Sequence, residues 1–493
     1  MKVTLAGYNV DARVLAKAES AGVSREQLTP EVLSAAYARI SRDPSDVGEL
    51  RKIALDEVEK ARSSNRRIIF QMGHHSVAEH AVFNFDIVGI SRLAMEWLER
   101  FRLCSFTEKS QRYITLDHDY LVPDELRGTP HEEALNALVS DQALLYDKIY
   151  QALRQRLAVS HPEMEAKRRG RGLLDGRAKE DARYVTLLST TGQLGLTINA
   201  RNLELMVRRF AAAPLAEVRE LGKALFSSGV GAAPSLLLFT EPSAFDLETA
   251  KELSALVERL VPAPVESTEG PAVRLVDYTA EPDRLVAAAM LHVSSRYDFA
   301  HCLNTTKTLS EDNLKMIFEA AMRRMEFFDS VPREFEHVVL NYELSLSASA
   351  YAQLKRHRMS TQSVQGYEPR LGVTIPPAVD KAGLTGPVAA FIKKAEALYH
   401  HIGGVEAPAA AYALTNAHRR RVFISTNLRE LYHIVRLRED GHAQWDIRNI
   451  AYRMRKVAQE AMPLGTLLLC GKDSYMARYR EIFGHSPSIV PPG

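Results

Sequence analysis

The feature that most limits what this chain can fold into is that it repeats itself. Residues 79–102, EHAVFNFDIVGISRLAMEWLERFR, and residues 336–358, EHVVLNYELSLSASAYAQLKRHR, share one layout: Glu-His, then alternating apolar positions, then a helix-like stretch ending in Arg-x-Arg. Alternation with a period of two marks a half-buried strand, and the change to a period near 3.6 marks the helix that follows. Further on, TINARNLELMVRRF matches STNLRELYHIVRLR, which pairs Asn199 and Arg201 with Asn427 and Arg429. Both run into amphipathic helices, one marked by Leu215, Val218, Leu221 and Leu225, the other by Ile447, Ile450, Ala451, Met454 and Val457. The exits also correspond, PSLLLFTEPSAF from Pro234 and PLGTLLLCGKDSY from Pro463. Segments that recur in one order predict a duplicated unit, and a length of 493 residues suits two domains.

The expected division is repeat one over 1–228, a linker with a helical patch over 229–275, and repeat two over 276–493. PAPVESTEGPAV has the Pro, Gly, Ser and Thr content of a linker. The basic insert KRRGRGLLDGR, ahead of Arg183, reads as a solvated loop, and no nucleic-acid partner is expected. With 46% hydrophobic and 25% charged residues the chain is of the globular class, and 63 basic against 61 acidic residues give no field for a polyanion. No apolar run nears the roughly 20 residues that span a bilayer, and the start lacks a secretory pattern, so a cytoplasmic protein with no membrane partner is expected. Cys104, Cys302 and Cys470 are too scattered for a disulfide framework or a zinc site; reduced core thiols and no metal are expected.

Chemistry concentrates around the repeated arginines. RFRLCSFTEKSQRY, from Arg100 to Tyr113, joins planar cationic donors for phosphate to an acceptor, Glu108, and a hydroxyl, Ser110. These segments resemble the flavin-dependent thymidylate synthases, whose pattern includes a GHxSxxEH strand opening, an RHR segment and an NxR helix followed by AQWEIR. Repeat one carries GHHSVAEH at Gly73 to His80 and the Glu108 to Tyr113 loop; repeat two carries RHR at Arg356 to Arg358 and NLRELYHIVRLREDGHAQWDIR at Asn427 to Arg448.

The resemblance implies an α+β fold, a mostly antiparallel sheet packed with helices, present twice. It also implies reductive methylation of dUMP to dTMP with FAD as cofactor and methylenetetrahydrofolate and NADPH as co-substrates, in a homodimer that rebuilds a pseudo-tetramer. Two other readings stay open: the same chemistry on UMP or another pyrimidine nucleotide, and a non-catalytic flavin- or nucleotide-binding homologue.

The copies differ in a complementary way. One half of the family's nucleotide site corresponds to Glu108, Ser110, Arg112 and Arg183 in repeat one, where repeat two has Val364, Gly366, Glu368 and Ala411. The other half corresponds to Gln353 and Arg438 in repeat two, where repeat one has Trp97 and Phe210, unless Arg209 substitutes. The flavin is assigned, by the same resemblance, to His74, Ser76, Arg100, Arg102, Arg356, His357, Arg358, Asn199, Arg201, Asn427, Arg429 and His433. Ser110, Arg438 and His74 are the candidates for catalysis. In isolation, Asn199 and Asn427 also read as helix caps, and His80 and His337 as structural hydrogen-bonders.

Overall fold

A computed structural model describes residues 1–18, 27–40, 43–112, 119–262 and 270–489. Tyr113 and the centre of the expected linker, 263–269, lie outside the described residues. The secondary structure repeats as the sequence does. Strands β1 (Lys2–Tyr8), β2 (Val82–Ser91), β3 (Cys104–Glu108) and β4 (Thr191–Asn199) form an antiparallel sheet in the order β1-β2-β4-β3. A second sheet, from β5 (Val273–Tyr278), β6 (Val339–Ser347), β7 (Thr361–Tyr367) and β8 (Arg419–Asn427), has the matching order β5-β6-β8-β7. The registers agree too: Val82 faces Asn199 as Val339 faces Asn427, and each first strand shifts register once, at Leu5/Gly7 and at Leu275/Asp277. The fold is therefore α+β, twice.

The alternation that predicts the strands also decides their faces. Phe83, Phe85 and Ile87 of β2 are buried while Asn84, Asp86 and Val88 are exposed. In the second sheet Leu340, Tyr342 and Leu344 of β6 pack with Val422 and Ile424 of β8 against Ile447, Ile450 and Met454 of the helix Trp445–Ala461. Burial of each such side chain contributes about 1.5–3 kcal/mol.

Each long strand turns into a short helix at a serine. Ser91 Oγ accepts from the Ala94 amide at 3.0 Å and donates to Glu217 at 2.5 Å; Ser347 Oγ does the same with Ala350 and Asp446 at the same distances. This doubly used serine fixes where helix Arg92–Leu98 and helix Ala348–Leu354 begin. It thereby places every residue of the Arg-x-Arg segments.

The chain divides into two compact units that do not coincide with the repeats. The first comprises 1–265 together with 386–414, and the second 266–385 together with 415–493. Most of helix Thr385–Ile402 thus lies in the first unit, where Lys394 pairs with Asp141 of helix Pro130–Ser160 at 2.6 Å. There, too, the Leu188 amide donates to the Leu414 carbonyl at 2.8 Å, and the Tyr412 hydroxyl donates to the buried Glu217 at 2.7 Å. Two local expectations need correction. The basic insert is not a loop: Arg168–Ala182 is helical, its Arg168, Arg169 and Arg171 exposed as expected. The strand β5 begins at Val273, inside the stretch read as linker, because a short strand pairing with β6 leaves little periodic signal. The helical patch of that stretch is Ala244–Leu260.

Candidate active site

In the first unit, the strand end, the serine-capped helix and the end of helix Arg168–Ala182 bring charged groups together. Arg92 donates to Glu108 at 3.4 Å, both side chains being nearly buried, and Arg112 pairs with Glu180. The Ser110 hydroxyl accepts from the Arg112 amide at 3.2 Å, which folds the loop after β3 back on itself. Arg183 is only 7% exposed. Its guanidinium holds its proton less tightly than usual, chiefly because of burial; Tyr184 and Glu180 oppose this, while the positive charges of Arg92 and Arg112 add to it. An arginine stays charged in a protein, so Arg183 is a buried cation with Arg92 and Arg112 close enough to act on it. Three guanidiniums stand with two carboxylates, Glu108 and Glu180, a balance that favours a phosphate.

Arg92 escaped the sequence reading. Its signal was available: the corresponding residue of repeat two is Ala348, so Arg92 follows the one-copy pattern of Arg112 and Arg183.

The second unit holds the other candidate set. Arg438 Nε donates to His357 Nε2 at 2.9 Å, and His357 Nδ1 stands 3.4 Å from Glu430. His357 is 2% exposed, and burial, followed by the charges of Arg438 and His433, pushes it well below the ordinary histidine range. The ring is therefore neutral and accepts from Arg438 at Nε2, which leaves its proton on Nδ1, near Glu430 but without a hydrogen bond among the described residues. That bond fixes the direction of the Arg438 guanidinium. Gln353 Nε2 is buried and, among the described residues, has no hydrogen-bond partner.

At the corresponding positions of repeat one the polar pair is replaced as a pair. Phe101 stands where His357 does and Phe210 where Arg438 does, and their rings meet edge to face with centroids 5.7 Å apart. Phe210 is buried, and Gly222 packs against its Cβ, where an added side-chain carbon would come within 2.8 Å. Arg209 does not substitute for the missing arginine, because it pairs with Asp246 at 2.8 Å and lies over Phe245. In the second unit, Glu368 accepts from the Arg370 amide at 3.1 Å, an acidic turn where repeat one has Arg112.

The residues assigned to flavin fall into two groups. Asn199 and Asn427 are N-caps, accepting from the Asn202 and Glu430 amides at 3.0 and 2.8 Å. Arg201 pairs with Glu79 at 2.6 Å and Arg429 with Glu336 at 3.1 Å, tying each helix start to the Glu-His turn of its own repeat. These four residues therefore make the same local contacts in both copies. The second group presents donors outward: His74, Ser76, Arg102, Arg358 and His433 are exposed, Arg100 lies 4.7 Å over Trp97, and Arg356 is half-buried. Arg429, His433, Arg436 and Lys472 also line a cavity of about 60 Å³, together with Asp329 and several apolar side chains. His80 packs edge to face on Tyr37, a structural contact. Cys104, Cys302 and Cys470 are free thiols. Among the described residues, no helix is long and apolar enough to cross a membrane.

The fold defines a tandem α+β protein, with arginine clusters that differ between its two repeats. A family model described as "Thymidylate synthase complementing protein" matches residues 24–235 and 274–464, most of the chain and both repeats. The chain belongs to the flavin-dependent thymidylate synthase family. It is 30% identical over 219 residues to a flavin-dependent thymidylate synthase of Clostridium tetani, covering 43% of this chain and 83% of that protein. A UPF0159 protein of Chlamydia muridarum is 25% identical over 419 residues, covering 81% of this chain and 79% of the relative. The first relative thus matches the length of one repeat, the second the length of both. Among solved structures, the flavin-dependent thymidylate synthase ThyX of Helicobacter pylori, complexed with FAD and dUMP, aligns with 49% of this chain and 100% of its own, at 22% identity and a TM-score of 0.29.

Proposed function

We propose that this protein converts dUMP to dTMP by flavin-dependent reductive methylation, with methylenetetrahydrofolate as carbon donor and NADPH as reductant. FAD, when bound, supplies the hydride. Its holders among this chain's residues are the outward-facing His74, Ser76, Arg100, Arg102, Arg356, Arg358 and His433, a donor set that suits a pyrophosphate. The observation that carries the reading is the paired divergence: repeat one keeps Arg112 and Arg183 but has Phe101 and Phe210, whereas repeat two keeps His357 and Arg438 but has Glu368 and Ala411. Decay of a redundant copy would strike both sets at random. Separate retention is what selection for a single nucleotide site built from both repeats produces.

In this reading Arg92, Arg112 and Arg183 hold the phosphate, and Glu108 and Ser110 hold the nucleoside. Gln353 and Arg438 complete the grip. Arg438, aimed by the neutral His357, meets negative charge as it develops on the pyrimidine. Ser110 and His74 are the other residues assigned nearest the reacting groups. A homodimer is the proposed assembly, checked by light scattering on the purified protein.

The test is dTMP formation from dUMP, methylenetetrahydrofolate and NADPH by yellow purified protein. Activity with dUMP and none with UMP, at about one flavin per chain, is the expected result; two flavins per chain would refute the single shared site. Activity on UMP alone would change the acceptor, and flavin binding without turnover would leave a non-catalytic homologue. Co-expressed Arg112→Ala and Arg438→Ala chains then show whether one site draws its two residue sets from one chain or from two.

A further inference from the structure

Two groups of the second unit bring metal-ligating side chains within 4.8 Å of one another: His357, Glu430 and His433, and Asp440, His442 and Asp473. The first is already committed. His357 Nε2 accepts from Arg438, and a guanidinium at 2.9 Å repels a cation. The second group lies beyond the end of helix Leu428–Arg438, where the helix dipole favours positive charge.

Asp440 is 7% exposed, and one of its oxygens is fully used: Oδ1 accepts from the His442 amide at 2.8 Å and lies 2.9 Å from His442 Nδ1. Its Oδ2 is buried, meets no N–H donor among the described residues, and is set against the Asp473 carboxylate. A buried carboxylate oxygen without a donor is costly unless a cation or proton meets it. Asp473, a second carboxylate, is held close by backbone that leaves no room for a side chain. The Gly441 amide donates to Asp473 Oδ2 at 2.6 Å, and a Cβ on Gly441 would lie 2.8 Å from that oxygen. A Cβ on Gly471 would likewise meet the Glu439 carbonyl at 2.8 Å, so the two loops are locked together. Glu439 is not available as a ligand, since Arg455 engages both its oxygens at 2.7 Å.

We infer that Asp440, His442 and Asp473 form a binding site for a divalent cation of the manganese or zinc class, beyond the nucleotide and flavin sites. Two carboxylates with an imidazole suit these ions better than calcium, which takes oxygen ligands almost exclusively. His442 and Asp473 are exposed, so water completes the coordination. The site departs from the sequence expectation of no metal, which rested on cysteine spacing alone. It does not depend on the proposed reaction.

The test uses full-length protein treated with chelator and titrated with Mn²⁺, free ion being followed by electron paramagnetic resonance, with Zn²⁺ and Mg²⁺ as competitors. Tight uptake of a single Mn²⁺ per chain is expected, displaced by Zn²⁺ far more readily than by Mg²⁺. Asp473→Asn and His442→Ala should each weaken binding about tenfold or more and cancel the rise in melting temperature that the metal gives the wild-type chain. Both positions are exposed, and circular dichroism confirms that the variants fold. The proposal is overturned if the wild-type chain takes up no Mn²⁺, or if both variants bind it as the wild type does. It is equally overturned if His433→Ala abolishes uptake while Asp473→Asn leaves it intact, since the ion then sits at the other group.

Discussion

A neutral imidazole that accepts from an arginine makes acid an antagonist of the second unit. His357 sits well below its ordinary value of 6.5 because of burial first, then Arg438 and His433. Below about pH 6.5 the unfolded chain therefore binds a proton at this position that the folded chain refuses, so stability falls as pH falls until the folded ring also titrates. Glu430, raised chiefly by burial against the pull of His433 and Arg429, works the other way nearer the carboxylate range. The informative quantity is the difference between variants. Melting temperature should drop more steeply between pH 7 and 5.5 in the wild type than in His357→Phe; equal slopes would show that the ring is not held neutral. For the arginines the expectation concerns ligand. Arg112→Ala, Arg183→Ala and Arg438→Ala should each weaken dUMP binding by about 10- to 150-fold, the equivalent of one charge-assisted hydrogen bond, as read by calorimetry. Unchanged affinity in Arg438→Ala would remove repeat two from nucleotide recognition.

At the scale of elements, the two helices that follow the capping asparagines have the same start and different ends. Helix Ala200–Ala211 ends with Phe210 against Phe101, and helix Leu428–Arg438 ends with Arg438 against His357. Phe210→Arg should place an uncompensated charge in an apolar contact and cost about 3–5 kcal/mol in denaturant unfolding. Adding Phe101→His should recover part of that loss, because the imidazole supplies an acceptor; strictly additive costs would deny that the positions diverged together. Much at this scale was legible beforehand. Strands and NxR helices follow local periodicity and capping, and both copies state them independently. Arg92 was not legible as a site residue, since an arginine opening a helix after Ser91 resembles any surface arginine until Glu108 is brought beside it from another strand. Asn199 and Asn427 are legible in a different way. Their recurrence also has a local cause, a cap and an ion pair in each copy.

For the whole molecule, the consequential feature is one that repeat-matching could not reveal. Residues 386–414 align with repeat two yet belong to the compact unit built on repeat one. Nothing in a local pattern states which core an amphipathic helix will join, because Phe391, Ile392, Leu398 and Tyr399 would suit either. The chain therefore leaves the second unit after Thr385 and re-enters it at Thr415, so neither repeat is a self-sufficient segment. A fragment of residues 266–493 should expose those four side chains and Tyr412, all buried in the full chain, and should aggregate. Replacing 386–414 in that fragment by a flexible Gly/Ser connector should restore solubility, since the second core keeps its own strands and helices. The threaded segment also bears on the first unit. Tyr412→Phe removes the donor to the buried Glu217, whose carboxyl is already raised by burial, and should cost about 1–3 kcal/mol by denaturant unfolding of the full chain. A soluble, monodisperse 266–493 fragment and a Tyr412→Phe variant of wild-type stability would together contradict the threading. Otherwise the tandem copies are bound by the path of the chain itself, and a break between the repeats could not yield two independent proteins.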